Sequence, residues 1–206
     1  MSFTKQFSLM SLVFLMITFS FPTLSMEKSP YNLLAKVGHK LFNDIATLSA
    51  EQRKQPKIMR ALIEKDLMPY IDYRYTAYKI LGKYVKTATK EQRNAFVAVM
   101  RNYLAITYAQ ALTQYKDQQV KFERDKKVGN KRITVVRTEI IEQGAPTIKI
   151  DFKFRKNKST GYWKAFDMVV EGISLLSSKQ AEITRQIRRT SLDAVIETLQ
   201  RKTEKV

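Results

Sequence analysis

The chain has 206 residues, of which 44% are hydrophobic, and its formal net charge is +18 at pH 7. This length is typical of one domain, and this apolar fraction is enough for a hydrophobic core. The sequence contains no cysteine and one histidine, which excludes disulfides, thiolate metal sites, cysteine nucleophiles and paired-histidine metal motifs.

The first 25 residues have the pattern of a secretory signal peptide. Lys5 precedes the apolar run 7–21, and Pro22 and the small residues Thr23 and Ser25 follow it. The run is shorter than the roughly 20 residues that cross a bilayer, which favours a cleaved signal over a membrane anchor. We therefore expect residues 1–25 to be removed and residues 26–206 to be exported as a single domain.

The first half of the mature chain is predicted to be helical. Ser29 and Pro30 are typical of an N-cap and a first helical position. Apolar residues then recur every three or four positions, which predicts one buried face, at Leu34, Val37, Leu41, Ile45 and Leu48. A second helix is expected over 56–67, ended by Pro69, because proline has no N–H to donate.

Two more helical segments are predicted before the middle of the chain. Residues 72–84 favour one or two short helices with a break near Gly82. Thr89 and Gln92 match a capping box, in which each side chain accepts from the backbone N–H of the other. We expect the helix that begins there to be long and to continue to Tyr115.

After this helix the apolar period changes from 3.6 to 2, which predicts strands. They comprise a short strand at Val120 and Phe122 and longer ones at 133–142, 148–155 and 162–170. Glycines suited to turns separate the strands, and helical spacing returns from Leu175. The order of helices, four strands and helices predicts an α+β fold with an antiparallel meander sheet.

Few side chains are suited to catalysis. His39 lies off the apolar stripe of its helix, which favours a surface position. Asp167 follows Phe166 and precedes Met168 in a predicted strand, and a carboxylate buried there could act as a base. We favour a hydrogen-bonded structural role for Asp167. All six glycines are isolated, so no phosphate-binding glycine loop is predicted.

The fourth predicted strand is apolar on both faces. One face carries Trp163, Ala165 and Val169, and the other carries Phe166, Met168 and Val170. Such a strand is either covered by helices on both faces or lines a cavity with one face. The apolar periodicity does not distinguish these two arrangements.

Two stretches of the chain closely resemble the toluene-tolerance family. The first contains DLMPY at 66–70, LGKY at 81–84 and TATKEQR at 87–93. The second contains FKFRKN at 152–157, GYWKAFDM at 161–168 and EGIS at 171–174. The resemblance covers essentially the whole mature chain, in the same order of helices and strands.

The resemblance implies a periplasmic phospholipid carrier that maintains outer-membrane lipid asymmetry. Its fold would be a helical layer packed around a twisted four-stranded antiparallel meander sheet, enclosing an apolar pocket for acyl chains. Its partners would be the phospholipid ligand, an outer-membrane lipoprotein–porin complex and an inner-membrane ABC transporter with an MCE-domain subunit, contacted transiently. We expect no catalytic residue, metal, cofactor or nucleic-acid partner.

We expect inward-facing strand positions and the helices opposite them to bind lipid. The predicted residues are Leu81, Met100, Tyr103, Leu104, Ile148, Ile150, Phe152, Phe154, Trp163 and Val169. If the side chains of the fourth strand alternate in the opposite sense, Phe166 and Met168 face the pocket instead. Two other functions stay open, an exported polyanion-binding module that uses the high positive charge and a small α+β enzyme that uses Asp167 as base.

Overall fold

The computed structural model describes residues 29–116 and 118–204, and the predicted signal segment lies outside them. In these ranges helices precede and follow one sheet. The helices are α1 (Pro30–Ala46), α2 (Ala50–Arg53), α3 (Pro56–Asp66), α4 (Tyr73–Leu81), α5 (Lys90–Leu112), α6 (Leu175–Arg189) and α7 (Leu192–Glu204). The strands are β1 (Gln119–Phe122), β2 (Ile133–Ile141), β3 (Ile148–Lys156), β4 (Trp163–Val170) and β5 (Ile173–Ser174). No helix in the described ranges has the length and apolar character needed to cross a bilayer.

Both helix starts predicted from capping residues are confirmed. The Ser29 hydroxyl accepts from the backbone N–H of Tyr31, with Pro30 at the first position of α1. At the start of α5, the backbone N–H of Gln92 donates to Thr89 Oγ1 (3.1 Å), and the Gln92 side chain accepts from the Thr89 N–H (3.0 Å). These bonds satisfy N–H groups that have no partner within the helix.

The sheet is an antiparallel meander in the order β1-β2-β3-β4-β5. Its first four strands are the predicted ones, and the short strand β5 adds one more than expected. Two residues are too few for an alternating pattern to be visible in the sequence, so β5 gave no signal.

A β-bulge interrupts β4 in its middle. Ala165 pairs with Phe154 and Asp167 pairs with Lys153, so Phe166 is an extra residue with no partner on β3. An extra residue reverses the alternation of side chains along the strand. Odd-numbered residues of β4 before the bulge and even-numbered residues after it therefore point to the same face of the sheet.

Directly paired residues of antiparallel strands point to the same face. We call the face that carries Ile150, Phe152 and Phe154 the inner face. The pairings place Trp163 and Ala165 on the inner face before the bulge and Met168 and Val170 there after it. The outer face carries opposite charges side by side: Arg137 Nε lies 4.0 Å from Asp151 Oδ1, and Lys153 Nζ lies 2.9 Å from Asp167 Oδ2.

Two hydrophobic cores share the long helix α5. The first lies between α1, α3, the C-terminal half of α5 and the inner face, and includes Ile45, Met59, Ile63, Ala105 and Val136. The second joins the N-terminal half of α5 to α4, α6 and α7, and includes Ile80, Phe96, Met100, Ile183 and Val195. Helix α5 therefore links the packing at the sheet to the packing of the C-terminal helices.

Candidate functional site

An apolar cavity of about 250 Å³ lies between α1, the C-terminal part of α5 and the inner face of the sheet. Its wall includes Leu34, Val37 and Leu41 from α1, Ala111 and Leu112 from α5, and Val120, Ile140, Ile150, Phe152 and Met168 from the strands. In the part of the chain that the structure describes, three polar residues line it, Thr138, Tyr108 and Asp167, and the carboxylate of Asp167 is turned to Lys153 on the outer face. A wall of this composition suits a hydrocarbon ligand.

One side of the cavity depends on a glycine in α1. A Cβ added to Gly38 would lie 2.3 Å from Cζ of Phe122, so the phenyl ring occupies the space a side chain would fill. The exposed His39 packs edge-on against the same ring, with 5.0 Å between ring centroids. Gly38 thus allows the edge strand β1 to pack closely against α1. The exposure of His39 confirms the surface position expected from the sequence.

Aromatic side chains also connect α1 to the segment after α5. The rings of Phe42 and Tyr115 lie with their centroids 4.7 Å apart. The Tyr115 hydroxyl donates to the backbone carbonyl of Gln118, just before β1, over 3.2 Å. These contacts hold Tyr115 between α1 and the residue that precedes β1.

A second cavity, of about 260 Å³, lies on the other side of Phe166 and Met168, between α4, α5, β4 and α6. Its lining includes Met100, Tyr103 and Leu104 of α5. Four residues line both cavities: Tyr108, Phe166, Asp167 and Met168. These four residues lie between the two neighbouring cavities.

Asp167 is held by three partners. Its Oδ2 accepts from Lys153 Nζ (2.9 Å) and Ser174 Oγ (2.8 Å), and its Oδ1 accepts from the backbone N–H of Leu176 (3.1 Å). Both oxygens are engaged at the start of α6, which fits the structural role favoured from the sequence. The pKa of the Tyr108 hydroxyl is raised to about 12, mainly by burial and in addition by the negative charge of Asp167.

The structure brings only some of the predicted site residues together. Ile150 and Phe152 line the first cavity, and Met100, Tyr103 and Leu104 line the second. Phe154 and Trp163 point inward as expected but are buried in the first core, and Leu81 is buried in the second. Ile148 shares the parity of the inner face, yet 43% of it is exposed at the end of β3.

The inward orientation predicted for Val169 is wrong. Val169 pairs with Asp151 and therefore lies on the outer face, beside a groove that Arg137 and Glu171 also line. The cause is the bulge at Phe166, which makes Met168 face the cavity in place of Val169. The prediction for Val169 rests on regular alternation of side chains along β4, and the bulge reverses that alternation after Phe166.

Sequence reasoning also missed the wall that α1 contributes. The stripe of Leu34, Val37 and Leu41 was assigned to the core, whereas it both packs in the first core and lines the cavity. Periodicity marks a buried face and carries no signal for whether protein or ligand covers it. Among the described residues, no group of three His, Asp or Glu side chains is placed to hold a metal ion.

Comparisons with known proteins agree on one family. A family model described as MlaC protein matches residues 35–201. The intermembrane phospholipid transport system binding protein MlaC of Haemophilus influenzae is 33% identical over 175 residues, covering 84% of this chain and 82% of that protein. The solved structure of a phospholipid-binding protein from Ralstonia solanacearum, in complex with a phospholipid, has a TM-score of 0.72 at 20% identity, covering 84% of this chain and 95% of that one.

Proposed function

Because this chain belongs to the MlaC family, we propose that it binds a phospholipid and carries it between two membranes. The observation that carries the proposal is the apolar cavity between α1, α5 and the inner face. Transfer of hydrocarbon into water costs about 0.8 kcal/mol per methylene, so a carrier must surround the acyl chains with apolar side chains. This cavity supplies such a wall.

The two cavities together define the proposed lipid site. Each is smaller than the range of about 300–1,000 Å³ that is usual for ligand sites, but they share four lining residues. Displacement of Phe166 or Met168 would join them into one larger, mainly apolar space. We assign lipid contact to Ile150, Phe152 and Met168 in the first cavity and to Met100 and Leu104 in the second.

Transport fits the chemistry of the site better than a reaction does. Lipid exchange requires an adaptable apolar cavity and no nucleophile or base, and flexible methionine side chains provide such adaptability. Among the described residues, two carboxylates line the cavities, Asp167 and Glu182. Both oxygens of Asp167 have partners, and the oxygens of Glu182 accept from Lys179 and Gln186. On the outer face, Arg137 lies near Asp151 and Lys153 bonds to Asp167, so part of the positive charge there is already neutralised.

We propose a periplasmic location for the mature chain, residues 26–206, after removal of the signal segment. Its route would run between an outer-membrane lipoprotein–porin complex and an inner-membrane ABC transporter with an MCE-domain subunit, preserving outer-membrane lipid asymmetry. The relative from Haemophilus influenzae, named as part of an intermembrane phospholipid transport system, supports this assignment.

The test is native mass spectrometry of the mature chain after incubation with phosphatidylglycerol vesicles, followed by solvent extraction of the protein peak. We expect one phospholipid per chain or a small integral number, identified in the extract. A folded chain that stays bare after this incubation would refute the carrier function. Tight, salt-dependent binding of heparin by that bare chain would support the polyanion-binding alternative.

A further inference from the structure

Thr138 places a hydroxyl in the mainly apolar wall of the first cavity. In β2 it lies between Phe122 of β1 and Ile150 of β3, its register partners, and both of these also line the cavity. Thr138 is 4% exposed. Within the described part of the chain, its Oγ1 has no hydrogen-bond partner.

An unpaired hydroxyl at this depth is unfavourable for the protein alone. Burying a polar group without a hydrogen bond is destabilising, and valine has nearly the same shape without that penalty. The neighbouring inward positions of β2, Val136 and Ile140, are apolar. The hydroxyl at position 138 therefore points to a partner that arrives with the ligand.

The proposed ligand offers one kind of acceptor at this depth. Acyl chains have no polar atoms, and a phosphate head group keeps its water, so the ester carbonyl oxygens are the acceptors that enter an apolar cavity. Those oxygens also need a donor once they leave water. A hydroxyl among apolar side chains satisfies both requirements with a single bond.

We propose that Thr138 Oγ1 donates a hydrogen bond to an ester carbonyl oxygen of the bound lipid. This inference rests on the proposed carrier function and adds a specificity to it. The bond fixes how deep the glycerol ester region sits against β2, level with Phe122 and Ile150. Ester-linked lipids are then favoured over ether-linked lipids with the same chains and head group.

The test is competition between two lipids that differ only in this linkage. Vesicles contain equal amounts of diester and diether phosphatidylglycerol with identical chains, and native mass spectrometry measures the ratio bound to the mature chain. We expect wild type to favour the diester lipid about three- to tenfold, the range of one neutral hydrogen bond. Thr138→Val removes the hydroxyl at nearly constant shape and should lower the ratio to one or below, because the ester carbonyl then has no donor.

Two further variants keep the experiment decisive. Thr138→Ser retains the hydroxyl and should retain the preference, whereas Thr138→Ala lacks it and serves if the valine variant does not fold. Equal diester-to-diether ratios in wild type and the variants without a hydroxyl would overturn the assignment while leaving the carrier function intact. A wild-type chain that captures neither lipid would contradict the carrier function, and this inference with it.

Discussion

The contact between Gly38 and Phe122 predicts that the effect of Gly38→Ala on the free energy of unfolding depends on residue 122. The substitution should destabilise the chain when Phe122 is present and stabilise it when the ring is removed. In a helix interior, alanine is more stable than glycine by about 0.5–1 kcal/mol. Here the added Cβ would lie 2.3 Å from the Phe122 ring, so the ring must leave its place on α1. Overpacking of this kind costs about 1–3 kcal/mol.

We therefore expect Gly38→Ala to destabilise the wild-type chain by about 1 kcal/mol, which lowers Tm by about 2–4 °C for a chain of this size. In a Phe122→Ala background the ring is absent, and the same substitution should stabilise by about 0.5–1 kcal/mol. Urea denaturation of the four chains in this cycle gives both values. Ala35→Gly, in the same helix and half-buried, calibrates the helical preference.

The quantity that tests the reasoning is the coupling between positions 38 and 122. Packing against the ring predicts a coupling of about 1–3 kcal/mol, because residues in contact are not additive. If Gly38→Ala stabilises the wild-type chain, or has the same effect in both backgrounds, Phe122 does not occupy the space above Gly38.

Three further predictions concern lipid capture and titration. Phe152→Glu should abolish lipid capture in native mass spectra, whereas Lys149→Glu, on the opposite face of the same strand, should retain it; equal retention would contradict the inner-face assignment. Burial acts to raise the pKa of Glu123, but hydrogen bonds from the Lys126 side chain and a backbone N–H outweigh it and lower the pKa from 4.5. The ionised Glu123 carboxylate therefore stabilises the fold above about pH 4.5, and this contribution is lost in acid. Urea denaturation of Glu123→Gln should therefore show a weaker loss of stability below about pH 4.5; an unchanged acid slope would contradict this. The Tyr108 pKa of about 12 predicts that Tyr108→Phe removes absorbance that appears above pH 11 in an ultraviolet titration, and a loss near pH 10 would argue against its burial.

Local signals in the sequence predicted the elements well. The capping box of Thr89 and Gln92 places the start of α5 because its two hydrogen bonds involve neighbouring residues only. Strict alternation along β3 predicted its inner face correctly through Ile150 and Phe152. The end of α5 was placed too late, at Tyr115 instead of Leu112, since the apolar spacing continues past the last helical turn.

The candidate site was harder to predict because it depends on contacts between distant residues. The bulge at Phe166 has no composition signal, yet it decides that Met168 and not Val169 faces the cavity. The unpaired hydroxyl of Thr138 is equally invisible in sequence, where threonine is an ordinary strand residue. Both features require the register of β2, β3 and β4 to be known.

Strand β1 forms one wall of the cavity at the edge of the sheet. It is the four-residue end strand of the sheet, and in the described part of the chain it pairs only with β2. Its Val120 and Phe122 line the cavity. Local opening requires least free energy where few backbone hydrogen bonds must break. Amide hydrogens of β1 should therefore exchange with solvent deuterium faster than those of the central strand β3. Such local opening of β1 would expose the cavity on the side of Gly38 while the rest of the sheet stays folded.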